Sequence, residues 1–231
     1  DGCDRMFFAS ANAKEAFKAE FGDQSKEGQY VISRLGVANS TLDGVRKRKG
    51  RGHLIVSCSN VLPIKHVEKI AQALITLDRD DIQWVHFGDG PLLDKVKASI
   101  SRERFKAEFR GHVVNERILE FYRDQSIDAV ILLSESEGGC PVCLQEAAAY
   151  GIPLIGTDVG GVAEVIQENG ILLPSSPDIQ EVAMAIQGIC DAHEDDWLRM
   201  SASSREVWSR RFDVDVNKKA FKDILFSLIS E

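Results

Sequence analysis

The 231-residue chain has no long apolar run. Its longest uninterrupted stretches, Ala129 to Leu133 among them, are five residues. A membrane-spanning helix needs about 20, so none is expected. The opening Asp1-Gly2-Cys3-Asp4 lacks the basic start and apolar core of a signal peptide. Cysteine is sparse and odd in number: five in so long a chain do not make a disulfide framework. A reducing, cytoplasmic setting is therefore the expectation. Surplus positive charge is missing as well. With 36 acidic against 28 basic side chains the formal charge is −8, which argues against nucleic acid as the main partner. The five histidines are scattered and the one close cysteine pair has no second pair at suitable spacing, so no metal site is expected. No internal repeat or low-complexity tract is present.

What is present is the pattern of a globular α/β protein. A composition of 44% hydrophobic and 28% charged residues is ordinary for a folded domain, and the length suits one large domain or two modest ones. Strands are predicted at Arg5–Ser10, His53–Cys58, Gln83–Gly88, Phe105–Gly111, Asp128–Leu133, Ile152–Thr157 and Gly170–Pro174. Most are continuous apolar runs, as strands buried on both faces require. Helical periodicity fills the gaps. In Val67–Leu74, for example, Val67, Ile70, Ala71 and Leu74 share one face. Repeating strand–helix units imply a Rossmann-like, doubly wound parallel sheet.

Residues 1 to about 45 hold one strand and one helix, Ala13–Phe21, too little for a sheet. They read as the last unit of a domain whose earlier part is absent. A polar linker follows, ending in the basic run Arg46-Lys47-Arg48-Lys49-Gly50-Arg51. The favoured reading of that run is a solvated linker, with peripheral contact to an anionic membrane surface kept open.

The stretch from Asp128 to Pro174 carries most of the chemistry. Ser134–Gly139 forms a loop at the carboxyl end of a buried strand, and Cys140-Pro141 opens a helix. Ligands of a doubly wound sheet sit at such edges, against helix N-termini whose free N–H groups favour phosphate. Glu135 and Glu137 are unexpected beside an anion unless they face something else, such as sugar hydroxyls. Glu146, a turn and a half into the helix, could accept from a ribose. Lys65, ahead of another helix, could neutralise a diphosphate. Gly88-Asp89-Gly90-Pro91 has Leu93 at the third glycine position of a dinucleotide fingerprint and reads as a tight turn.

Together these residues resemble the group 1 glycosyltransferases, retaining enzymes of two facing Rossmann-like domains. The likeness covers nearly the whole chain and is strongest in Ser134–Pro174: the acidic loop, Tyr150–Glu164 and Asn169–Pro174. Ser33–Val37, Lys65, Gly88–Pro91, Phe109–Val113, Trp208 and Phe212 support it. The resemblance implies that residues 1–45 are the tail of an acceptor-binding domain. Residues 46–205 would be the nucleotide-sugar-binding domain, and 206–231 a helix packing back toward the first. It implies that Lys65 contacts the diphosphate and that Gly138, Gly139, Cys140 and Pro141 form the phosphate or sugar corner. Glu137 would hold the donor sugar, Glu146 the ribose, and His112 and Val113 the base through main-chain atoms. No metal or cofactor is implied, and the acceptor would belong to polysaccharide, lipopolysaccharide or glycolipid synthesis. Two departures stand out. Glu137 and Glu146 enclose eight residues where the family has seven, and a bulge at the glycines is expected to absorb the extra one. Asn60 stands where the family carries an arginine, leaving Arg110 or the absent domain to compensate.

Two rivals come from other classes. Cys140-Pro141-Val142-Cys143 has the spacing and placement of a thiol oxidoreductase motif. A non-catalytic nucleotide-sugar-binding module would share the same loop without the transfer, and the fragment by itself is expected to be inactive.

Overall fold

In the computed structural model the described residues are 3–23, 28–38, 48, 52–101 and 104–229. They form two sheets. The smaller pairs β1 (Met6–Phe8) with β2 (Tyr30–Ile32) in parallel, joined through α1 (Ala11–Phe21). Residues 1–45 thus hold a second strand, which corrects the expectation of one strand and no sheet. Helix α1 starts where Ser10 Oγ accepts from the Ala13 N–H at 3.0 Å, a standard N-cap.

The larger sheet has six strands: β3 (His53–Cys58), β4 (Ile82–Phe87), β5 (Lys106–Phe109), β6 (Ala129–Leu132), β7 (Leu154–Thr157) and β8 (Gly170–Leu173). All pairings are parallel and the order is β5-β4-β3-β6-β7-β8. This is the order of a dinucleotide-binding fold, with its reversal between β3 and β6. Consecutive side chains explain the burial. Ile55, Trp84, Ile131 and Ile155 face one core with α2 (Val67–Leu77), α3 (Leu93–Ser99) and α7 (Ile179–Cys190). Val56, Val85, Val130 and Leu154 face the other, with α4 (Asn115–Asp124), α5 (Val142–Ala149), α6 (Val162–Val165) and α8 (Glu194–Arg211).

Helix α6 is a single turn that ends at Val165. Asn169 Oδ1 accepts from Gln167 N–H and Nδ2 donates to Val165 O, so its side chain takes up backbone groups that a longer helix would use. Helix α8 docks by hydroxyls: Ser201 and Ser204 donate to the Gly151 and Ile152 carbonyls at 2.6 and 2.8 Å. It runs unbroken through 205 and 206 and turns at Phe212 into α9 (Val214–Ile229). There Val37 N–H donates to Phe212 O and Trp208 Nε1 to Val37 O. Phe221 of α9 meets Phe7 of β1, ring centroids 4.9 Å apart.

Most of the basic run lies outside the described residues. Arg48 is described, and it is neither solvated linker nor surface patch. It donates to the Ile189, Cys190 and Ala192 carbonyls at the end of α7, pairs with Asp128 at 2.8 Å and covers the Trp197 ring. A guanidinium on a helix C-terminus satisfies orphan carbonyls and complements the dipole. Among the described residues no helix is long and apolar enough to cross a membrane.

Candidate functional site

The site lies where the strand order reverses. After β3 the chain passes Ser59-Asn60-Val61 into a single 3₁₀ turn, Pro63–Lys65, and then His66, left-handed at φ 47°, before α2. The neighbouring turn after β4 clamps this loop. Ser59 N–H donates to Phe87 O and Val61 N–H to Asp89 O at 3.0 and 2.9 Å. Gly88 makes the approach possible, because its φ is 134° and a Cβ there would stand 1.9 Å from Ser59 O. The expected tight turn is present, and its work is to hold the Lys65 loop.

From β6 the acidic loop comes to meet it. Glu135 N–H donates to Ile64 O at 2.8 Å, tying the two loops together. Lys65 Nζ then lies 2.5 Å from Glu137 Oε1, which also accepts from Ser134 Oγ at 2.6 Å. Glu135 itself is exposed and faces His66. Glu137 is therefore not an isolated acid in this loop: it is paired with a cation and accepts from a hydroxyl. From β7, Gly160 (φ 54°) lies so close that a Cβ would stand 1.9 Å from Glu137 O. Gly161 N–H donates to Gly139 O at 3.2 Å. Gly138 and Gly139 both keep negative φ.

Pro141 is the N-cap of α5, and the first helical bond runs from Gln145 N–H to Pro141 O. The N–H groups of Val142, Cys143 and Leu144 therefore have no carbonyl upstream within the helix. Glu146, on the same helix, is 8% exposed. Burial pushes its carboxyl above the usual range, opposed by Asn115 Nδ2 donating to Oε1 at 2.8 Å.

The remaining candidates sit toward β5. Gly111, left-handed at φ 64°, accepts from Gly88 N–H at 2.8 Å and turns the chain into exposed His112 and half-buried Val113 ahead of α4. Arg110 pairs with Glu108 at 2.8 Å and lies over the Phe121 and Phe87 rings. Its backbone N–H donates to His86 O at 2.9 Å, and among the described residues none of these contacts is with the Lys65–Glu137 pair. Asn60 is exposed at the tip of its loop. The structure thus brings together Lys65, Glu137, the glycine corner and the α5 N-terminus. Three participants went unremarked individually in the sequence: Ser134, the Gly160–Gly161 buttress and Asn115. Asn115 opens a helix, where asparagine reads as a cap, and that signal masks its partner.

The two half-buried thiols give the thiol-redox alternative no support. Desolvation pushes the Cys140 thiol up to about 11 and Cys143 well above its usual value, whereas a reactive thiol needs a lowered one.

Comparison with known proteins bears on the family and the fold. The family model for glycosyl transferases group 1 matches residues 52–192, more than half of the chain. A Bacillus subtilis protein named as a teichuronic acid biosynthesis glycosyltransferase, TuaC, is 30% identical over 196 residues, covering 82% of this chain and 46% of that one. A GDP-mannose-dependent alpha-mannosyltransferase of Mycolicibacterium smegmatis is 33% identical over 113 residues, 48% of this chain and 28% of that one. Among solved structures, the lipopolysaccharide outer core galactosyltransferase WaaB superposes with a TM-score of 0.78 at 19% identity, over 97% of this chain and 62% of its own. The chain spans less than two thirds of each of these relatives and corresponds mostly to their second Rossmann-like domain. The chain belongs to the group 1 glycosyltransferases.

Proposed function

We propose that this chain is the donor-binding part of a retaining glycosyltransferase that takes its sugar from a nucleoside diphosphate sugar. One observation carries the reading: the Lys65 ammonium meets Glu137 directly beside the glycine corner that opens α5. Lys65 and the first-turn N–H groups of α5 hold the diphosphate. Gly138, Gly139, Cys140 and Pro141 shape that corner, and Glu137 accepts from donor-sugar hydroxyls. Glu146 takes the ribose, and main-chain atoms of His112 and Val113 meet the base. Asn60 and Arg110 flank the nucleotide as donor-binding residues.

In this reading the protein positions the reactants and stabilises charge. As the bond from the sugar to the diphosphate lengthens, negative charge grows on the leaving oxygen, where Lys65 stands. That oxygen takes the acceptor hydroxyl's proton as the acceptor attacks from the same face. The acceptor is a growing cell-envelope polysaccharide, lipopolysaccharide or glycolipid, consistent with the names of TuaC and WaaB, and the setting is cytoplasmic. Residues 1–45, the tail of an acceptor domain, bring α9 back across the boundary, and residues 46–205 bind the donor. The 231 residues alone transfer no sugar, because the acceptor side belongs to the rest of that domain.

Thermal stabilisation tests this directly, since a ligand that binds the folded state raises its melting point by mass action. One of the UDP-, GDP- or ADP-sugars is expected to raise the melting temperature of the chain, and Lys65→Ala to abolish the rise. No shift with any of them would refute the reading.

A further inference from the structure

Asn115 has the side chain that suits a helix N-cap, yet α4 gives its cap position to Val114, which has no polar group to offer. The amide is spent on another helix instead. Nδ2 donates to Glu146 Oε1 at 2.8 Å, and because an ionised carboxylate only accepts, the nitrogen must be the donor. Asn115 is exposed while its acceptor is buried. Among the described residues Glu146 Oε2 has no hydrogen-bond partner. His112-Val113-Val114 runs straight into Asn115. One hydrogen bond therefore links the segment assigned to the base with the carboxylate assigned to the ribose.

We propose that Asn115 is a positioning residue for the nucleoside. It occupies one oxygen of Glu146 and presents the other to the ribose diol, so that base-side loop and ribose are recognised as one rigid unit. The inference rests on the donor-site reading above and adds to it a residue that need not touch the ligand. Its physical content is twofold. A carboxylate held at one oxygen has fewer orientations to lose on binding, and a donor to the anion keeps it ionised in a buried place. The other titratable groups facing Glu146 do not supply charge. They are Cys58 of β3, Tyr122 of α4, and Cys143 and Tyr150 at the two ends of α5. Burial pushes all four upward, Cys58 to about 11. Asn115 is the group that opposes protonation of Glu146.

The test titrates the chain with UDP, GDP and ADP, then with the 2′-deoxy form of the tightest. Asn115→Ala and Asn115→Asp are compared with the parent, the second keeping the shape while losing the donor. Unchanged melting temperatures show that both variants fold. The parent is expected to prefer the ribonucleotide by about tenfold, and each variant to lose about tenfold in affinity and to cut that preference to about twofold. Binding that needs the Glu146 anion persists above its pKa and fades as pH falls through it. The variants should therefore lose affinity at a higher pH than the parent as the pH of the titration is lowered. A role in helix structure alone would lower ribo- and deoxyribonucleotide binding equally and leave the pH midpoint in place. If the parent binds and the variants keep its affinity, preference and midpoint, Asn115 is no positioning residue while the donor-site reading stands. If the parent binds none of the three nucleotides, both fall together.

Discussion

Two buried carboxylates mark the two edges of the sheet, and they are treated differently. Asp128, at the amino-terminal edge, is 4% exposed and fully engaged. It accepts from Leu54 N–H at 2.9 Å and pairs with Arg48 and with His53. Glu146, near the carboxyl-terminal edge, is 8% exposed and accepts from a single side-chain amide. Burial alone does not separate them; saturation does. A buried charge costs several kcal/mol unless its hydrogen-bonding capacity is filled. The filled one behaves as a structural part, whereas the unfilled one keeps capacity for something that arrives. Lys65 and Glu137, with side chains 23% and 15% exposed, lie between the two cases: they pair with each other yet stay open to solvent, and only the proposed function puts them on the second side.

The sharpest way to break this contrast is Lys65→Ala in a full-length enzyme containing the chain. Removing one stabiliser of developing charge is expected to lower activity by about 10²–10³-fold, with the melting temperature nearly unchanged because the lost pair is partly solvated. Activity and melting temperature measured on the same preparation decide it. A large fall in melting temperature with activity within fivefold would make the pair structural and erase the difference between the edges.

The opposite result is expected at the other edge. Asp128→Ala strips Arg48 and the Leu54 N–H of their acceptor and should cost about 3 kcal/mol of stability. Nucleotide affinity of the folded fraction should change by less than twofold. Denaturant unfolding and a nucleotide titration together check both halves, and weakened binding without lost stability would place Asp128 on the functional side.

How far this division could be read beforehand follows from its physics. Strands β3, β4 and β6 are legible because both their faces are buried, so Leu54-Ile55-Val56 and Ala129–Leu132 are apolar without alternation. Strand β2 has three residues, all half-buried, and so short a run carries no period. The end of α6 depends on the hydrogen bonds of Asn169, which periodicity does not record. At the site, the residue types were legible through the loop motif and the family resemblance. The pairing of Lys65 with Glu137 joins positions 72 apart and required the fold. The spacing of Cys140 and Cys143 suggested reactivity, whereas the desolvation that raises both thiols comes from the fold and is not written in the spacing.

A third buried titratable group asks whether saturation or burial governs the response to pH. His86 is fully buried in β4, its Nδ1 2.8 Å from Ser57 Oγ, which accepts from Trp84 Nε1. Burial lowers its pKa from the usual 6.5 to about 4. Between those two values the unfolded chain binds the proton and the folded chain does not. His86 therefore makes stability fall as pH drops through that window, by up to about 1.4 kcal/mol per pH unit. Unfolding measured across the window should show that component of the slope in the parent and its loss in His86→Gln. An unchanged slope would mean that other groups dominate acid sensitivity.

The smallest effect is expected where the two sheets meet. Glu164 of α6 accepts from Arg34 Nε at 3.0 Å and from Asn12 N–H, at the first turn of α1, at 3.1 Å. Both donors belong to the β1–α1–β2 unit, so one carboxylate holds a cation and a helix N-terminus together. Glu164→Gln keeps an acceptor for Asn12 and removes the charge, which should cost about 1 kcal/mol. Because the pair bridges two units, the loss should be local. Hydrogen exchange is expected to quicken at Asn12 and Ala13 while the amides of β3 and β6 stay protected. Uniform deprotection of both sheets would instead show that the small unit and the large one unfold as a single body, with Glu164 contributing to the stability of the whole.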